Sequence, residues 1–301
     1  MKEQAVVRHP FTSNGFEVFI VTGEPIEKVR PVLCELEKSN LSTFSVHVLS
    51  GASEIGDISQ ISKRIAVSNF PGDSVFHLRS RIPALAKPCD WVVILEDHNL
   101  VGEKWPERVA SSLSKAGTEV NMVIGAATNH ASTDPWSWAN FMCVLGFHWA
   151  PIIQEPAEPI GFNIVLRRKF LGVDRLKLGE YETEVVPAAM ESVKADPSFP
   201  VDHRQFRKFP EVLHYHWCNG RVTGSLMRKF DASGMRKVFS HARNTTFRRQ
   251  RILREIIKHH PNQDNLPRGT GVRMLMLAIA HSLGCIYGSL AGVGRAPWKL
   301  E

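Results

Sequence analysis

A run of five apolar residues, Trp91-Val92-Val93-Ile94-Leu95, stops abruptly at Glu96-Asp97-His98. A continuous, largely β-branched run of this length reads as a strand buried on both faces, which means a parallel sheet covered by helices. In open α/β sheets, ligands bind just beyond the carboxyl ends of such strands. Adjacent carboxylates repel, so two acids at a strand end call for a compensating cation or proton. A solvated acidic cap on the strand is the competing reading.

The flanking sequence has the same character. Residues 17–22 (EVFIVT) read as a strand, Gly23-Glu24-Pro25 as a turn, and 26–39 as a helix. Residues 44–49 form a second strand ending at Ser50-Gly51-Ala52-Ser53. A short strand at 75–78, a helix at 80–87, an amphipathic helix at 103–115 and a strand at 121–127 follow. This β-α alternation predicts an α/β fold with a mostly parallel central sheet and helices on both faces. Beyond residue 130 the pattern weakens. Trp136, Trp138, Phe141, Phe147 and Trp149 suit core, a packing lid or an acceptor pocket. Residues 151–159 read as a loop, 161–171 as a strand entering a basic turn, 180–194 as helix and 212–217 as a short strand. Residues 1–15 read as a flexible lead.

The 301-residue chain carries a net charge of +7, which favours an anionic partner such as a nucleotide, a nucleic acid or an acidic membrane. Its five cysteines are scattered without a C-x-x-C pair, and the N-terminus has no apolar h-region. Both point to reduced thiols and a cytoplasmic location. Residues 228–258 are strongly basic, with Asp231 and Glu255 the only acids. Residues 274–290 are apolar but contain glycines, His281 and Ser282, a poor composition for a membrane span. A basic helix followed by an apolar one fits peripheral attachment to an anionic inner leaflet, with a solvated face plus a core-packed helix as the competing reading. The expected organisation is a catalytic domain over 1–225 and a helical C-terminal region over 226–301.

Several motifs in order resemble the family-2-type glycosyltransferases of the GT-A (nucleotide-diphospho-sugar transferase) fold, over roughly residues 16–220. They are the strand Val18-Phe19-Ile20-Val21-Thr22, Ser50-Gly51-Ala52-Ser53, Arg79 and Arg81, Glu96-Asp97-His98 followed by Trp105, Gly161-Phe162-Asn163 with Arg167-Arg168, and Glu180, Glu182 and Glu184. The resemblance implies a nucleotide-sugar donor, a saccharide or lipid-linked hydroxyl acceptor, and Mg²⁺ or Mn²⁺ as cofactor. It implies inverting, metal-assisted transfer of a hexosyl-like sugar. It places Asp97, His98 and His216 at the metal, and Thr22, Glu24, Ser50, Arg79, Arg81 and Glu96 on the donor. Gly161, Phe162 and Asn163 fall on the acceptor side, with Glu184 as base and Glu182 as its substitute.

The sequence departs from the family pattern in three places. Ser50-Gly51 stands where the family has two aspartates, Glu182-Thr183 where it has Glu-Asp, and no Gln-x-x-Arg-Trp motif is present. The last argues against a processive polysaccharide synthase, and a catalytically altered relative stays open. So does a nucleic-acid-binding protein using the basic region, although it lacks aromatic–basic interleaving and a helix-turn-helix. A nucleotidyltransferase is disfavoured because Gly23-Glu24-Pro25 is no basic phosphate loop. His214, His216 and Cys218 would line one face of a strand and carry zinc-type donors, but in a row rather than a tetrahedron.

Overall fold

The computed structural model describes residues 15–54, 56, 62, 65–130, 133–150, 163–172, 176–204, 208–230, 235–259 and 266–299. The chain divides into two compact units, 1–127 with 153–202 and 301, and 128–152 with 203–300. Neither boundary coincides with the one expected at 225. The loop expected at 151–159 lies outside the described residues, as do Gly161 and Phe162 and all but the last residue of the lead expected at 1–15.

The first unit is built on β1 (Phe16–Thr22), α1 (Ile26–Glu37), β2 (Phe44–Ser50), β3 (Ile65–Asn69), α2 (Val75–Leu85), β4 (Trp91–Glu96), β5 (Asn99–Val101), α3 (Trp105–Ser114), β6 (Met122–Asn129), β7 (Ile164–Arg167) and β8 (Val193–His203). The eight strands form one sheet in the order β3-β2-β1-β4-β7-β6-β8-β5. Strands β3, β2, β1 and β4 are parallel, and β7 runs antiparallel to both β4 and β6. Every residue of β1 and β2 is buried, as is all of β4 before Glu96. This matches the unbroken apolar run of β4, while β1 and β2 bury Glu17, Ser45 and His47 along with their apolar residues. The α/β architecture and mostly parallel sheet read from the sequence are therefore present. The chain moves one way across the sheet through β1, β2 and β3, then returns past β1 to β4. Right-handed crossovers thus put α1 and α2 on opposite faces.

One expected element changes type here. Residues 75–78 are the first turn of α2, not a strand, because His77 and Arg79 break the apolar run and the helix continues to Leu85. The third parallel strand is β3, and all five of its residues are only half-buried.

The second unit is helical: α4 (Pro135–Leu145), α6 (Phe209–Phe230), α7 (Met235–Arg243), α8 (Gln250–His259) and α9 (Thr270–Ala291). A four-residue α5 (Val186–Ala189) belongs to the first unit. The aromatic segment after residue 130 is α4, capped by Asp134, whose carboxylate accepts from Trp136 N at 2.8 Å. Trp138 and Phe141 in it, and Trp149 beyond it, are buried in the core, whereas Trp136 and Phe147 are half-buried. The strand expected at 212–217 is part of α6. The α6 and α9 backbones meet at glycines. A Cβ on Gly220 or Gly224 would collide with the carbonyl oxygens of His281 and Cys285, and one on Gly288 with that of Arg221. These glycines are what let the two helices touch. Gly224→Ala should force the helices apart and cost about 1–3 kcal/mol, measured by urea unfolding. A cost below about 0.5 kcal/mol would show that the contact is loose.

Candidate active site

Thr22, Ser50 and Glu96 end three adjacent parallel strands, in register: Thr22 stands opposite Ser50, and Val21 opposite Glu96. The direction of strand succession reverses between β1 and β4, so the carboxyl ends of these two strands flank a topological switch point, where open α/β sheets bind ligands. Thr22 spans it, its hydroxyl donating to Asp97 Oδ2 at 2.5 Å. The same oxygen accepts from Glu24 N at 2.9 Å, which fixes the turn after β1.

Around Asp97 the charges interlock. His98 reaches Asp97 Oδ1 through Nδ1 at 2.8 Å and Glu96 Oε2 through Nε2 at 3.1 Å. Arg79, from α2, pairs with Glu96 through Nη2 and with Glu182 through Nη1, the latter at 3.0 Å. Its guanidinium also lies 5.9 Å from the centre of the Tyr181 ring and 5.8 Å from that of Phe76. Tyr181 and Glu182 sit on a π-helical turn (Tyr181–Val185), a local distortion frequent at functional sites. Among the described residues, Arg79 Nε, Tyr181 Oη and Glu182 Oε2 are buried without a hydrogen-bond partner. Three such orphans in one cluster are costly unless a ligand engages them.

The electrostatics follow from this packing. Burial works against the ionised forms of Glu96 and Asp97, but Arg79 and His98 outweigh it for Glu96, and His98 and Thr22 for Asp97, so both carboxyls titrate below their usual range. Burial also works against His98⁺, yet Asp97 and Glu96 raise it to about 10. With 37 % of its side chain exposed, His98 still feels water, which tempers the effect. Glu182 is raised by burial, only partly offset by Arg79.

The residues expected from sequence take several different positions. Thr22, Arg79, Glu96, Asp97, His98 and Glu182 are linked through direct contacts. Arg81 and Ser50 have other engagements: Arg81 Nε donates to Asp73 Oδ2 at 2.6 Å above the Phe70 ring, and Ser50 Oγ accepts from Ala52 N at 3.1 Å. Glu24 and Glu184 are exposed. Asn163 is a clamp within the sheet. Its N donates to Ile94 O, its Nδ2 to Ala126 O, and its O accepts from Gly125 N, with φ at 49°. His216 lies in the second unit on a helix, not a strand, with Nε2 2.7 Å from Asn140 Oδ1. His214 and Cys218, four residues apart, share a helix face at 3.5 Å while His216 points elsewhere, so the row of three donors expected from a strand does not form.

Sequence reasoning missed Tyr181 and Asp73. Gly51 could not be an aspartate, because a Cβ there would collide with Asp73 O. The β3–α2 loop instead brings Asp73 beside the β2 end.

No family model and no curated protein matches the chain. Three solved structures are similar at low identity. A mycobacterial protein has a TM-score of 0.44 and 12% identity, over 66% of this chain and 70% of its own. TarS 1–349 from S. aureus gives 0.43 and 10%, over 91% and 90%. Glucosyl-3-phosphoglycerate synthase from Mycobacterium tuberculosis, in complex with Mn²⁺, uridine diphosphate and glucosyl-3-phosphoglycerate, gives 0.43 and 12%, over 69% and 81%.

Proposed function

We propose that this chain is a glycosyltransferase of the GT-A, family-2 type that moves a sugar, hexose-like by the resemblance, from a nucleotide-sugar to a hydroxyl acceptor, saccharide or lipid-linked. One observation carries the reading: two half-buried carboxylates, Glu96 at the end of β4 and Asp97 next to it, lie at the switch point and are bridged by a single imidazole. A leaving nucleoside diphosphate would meet the sheet there.

The donor set suits a hard divalent cation, Mg²⁺ or Mn²⁺. Glu96 and Asp97 supply carboxylate oxygens close enough for one ring to reach both, and His98, the cation that bridges them here, would have to give up a proton before a ring nitrogen could join them as a ligand. When bound, such a cation neutralises charge developing on the leaving diphosphate. Asp97 is the central ligand in this reading, and Thr22 orients it through its hydroxyl. Ser50 and Glu24 frame the donor side at the ends of β2 and β1.

Arg79 holds Glu96 and Glu182 on either side of one guanidinium and so ties the strand end to the π-helical turn. Proton removal from the acceptor hydroxyl requires a carboxylate poised above its usual range. We assign that role to Glu182: its carboxyl is raised by burial and its Oε2 has no hydrogen-bond partner. An inverting single displacement follows if that oxygen faces the acceptor. None of the five cysteines is in a disulfide, and we place the enzyme in the cytoplasm.

The test is thermal stabilisation by nucleoside diphosphates with Mn²⁺. UDP or GDP together with Mn²⁺ should stabilise the fold, by about 3 kcal/mol at a hundredfold excess over Kd, and neither alone should do so. Asp97→Asn, which keeps the side-chain shape, should abolish the joint effect. No shift with any nucleotide, or an unchanged shift in Asp97→Asn, would overturn the assignment.

A further inference from the structure

Helix α9 carries an apolar stripe that stays largely exposed among the described residues, with Tyr287 alone leaning on the Trp217 ring at 5.5 Å and the Arg221 guanidinium at 5.0 Å. Val272, Met276, Ile279, Leu283, Tyr287 and Leu290 recur every three or four residues and are 39–66% exposed. At 1.5 Å per residue the stripe runs about 27 Å, most of the helix. The opposite face is committed to the core: Met274, Leu277, Ala278 and Cys285 are buried, and Gly284 and Gly288 meet the α6 backbone. An apolar row of this extent on a protein surface marks a binding face.

The neighbouring elements indicate what it binds. In α7, Arg236, Lys237 and Arg243 are exposed, and in α8, Arg251, Arg254 and Lys258. Glu255 is the only acid on these two helices. Buried polar bonds tie them to α9: Ser282 Oγ donates to Ala242 O at 2.9 Å, the Thr246 and Ser282 hydroxyls lie 2.6 Å apart, and Gln250 Nε2 donates to Met274 O at 2.9 Å. The cationic helices therefore form one body with the stripe. Phe239 on α7 and Phe247 on the following π-helical turn add large exposed aromatics, at 53% and 67%.

We infer that this unit docks peripherally on an anionic lipid leaflet, with the α9 stripe entering the acyl boundary and the α7 and α8 cations meeting lipid phosphates. A second copy of the chain would supply apolar surface but would bring two cationic regions together. An anionic leaflet satisfies both the apolar and the charged groups. α9 lies on the leaflet instead of crossing it, because half of its circumference is already packed against α6, α4 and α7. The inference is independent of the proposed transferase activity.

The full chain should co-float with phosphatidylcholine vesicles containing phosphatidylglycerol, bind pure phosphatidylcholine weakly, and lose binding as salt rises. The double variant Ile279→Glu/Leu283→Glu should lower the partition coefficient more than about tenfold with an unchanged melting temperature. Val272→Ser/Leu290→Ser, at the two ends of the stripe, should lower it less and guards against misfolding of the first variant. Arg236→Glu/Lys237→Glu should remove the phosphatidylglycerol preference. Two results would overturn the inference. One is absence of flotation on phosphatidylglycerol vesicles. The other is a concentration-dependent dimer of the parent that the stripe variants abolish, which would assign the stripe to a second copy.

Discussion

Arg79→Met should cost about 3–5 kcal/mol of folding stability at pH 8, because it removes one partner of a buried ion-pair network. The arginine side chain is 6% exposed and lies between Glu96, at 14%, and Glu182, at 21%. Without the guanidinium, Glu182 loses its cation and is pushed further above its unfolded range, while Glu96 keeps only His98. The folded protein then holds a proton that the unfolded chain releases, so stability falls as pH rises from the unfolded carboxyl range through the raised folded value. The deficit should accordingly be small near pH 4.5 and largest in alkaline buffer. Arg79→Lys keeps the charge but not the two-armed fork, and should fall between parent and Arg79→Met. Adding Glu182→Gln to Arg79→Met should recover part of the loss by removing the charge left without its cation. Urea unfolding across pH gives all of these values. A loss below about 0.5 kcal/mol for Arg79→Met would show that the network contributes nothing.

That network also shows where a sequence stops being readable. Glu96-Asp97-His98 stood out because an apolar run fixed β4 and the strand end fixed the acids' position. Strands β1 and β2 were legible for the same reason. The bond between Arg79 and Glu182, by contrast, joins residues 103 apart in the chain. No periodicity reports it, and it changes which glutamate belongs to the cluster. An α-helix over 180–194 would set Glu180 and Glu184 on one face. The π-helical turn shifts that register, and Glu180 instead accepts from Lys177 N at 2.6 Å.

Long-range packing explains the other misreadings. Within α6, Gly220 and Gly224 argue against a helix unless the α9 backbone is known to lie against them. In β8, Pro197 and Pro200 and the alternating charges hide a strand that the sheet accepts in its outer half. Arg81 was indistinguishable from Arg79 in sequence. Its engagement with Asp73 and Phe70 depends on how the β3–α2 loop folds back.

The pH dependence of stability should carry a second large signature, from His47. It sits in β2 at 4% exposure, with its ring stacked 5.3 Å from that of Phe19 and Nε2 2.9 Å from Ser68 Oγ. Burial, reinforced by the positive charge of Lys87, lowers its pKa from 6.5 to about 4. Between those values the unfolded chain binds a proton that the folded protein refuses. Stability therefore falls as pH drops from about 6.5 to about 4, and this histidine adds no further loss below that. The interval corresponds to about 3 kcal/mol. Other groups titrate over the same window: Glu17 is raised by burial and contributes with the opposite sign, while Glu96 and Asp97 are lowered and contribute with the same sign. The measurement is therefore a difference. His47→Gln keeps a neutral polar group facing Ser68 and has no proton to gain. Its stability relative to the parent should improve by about 3 kcal/mol between pH 7 and pH 4. A parent–variant difference that stays constant across that range would show that His47 is protonated in the folded sheet, which the packing around Phe19 and Lys87 opposes.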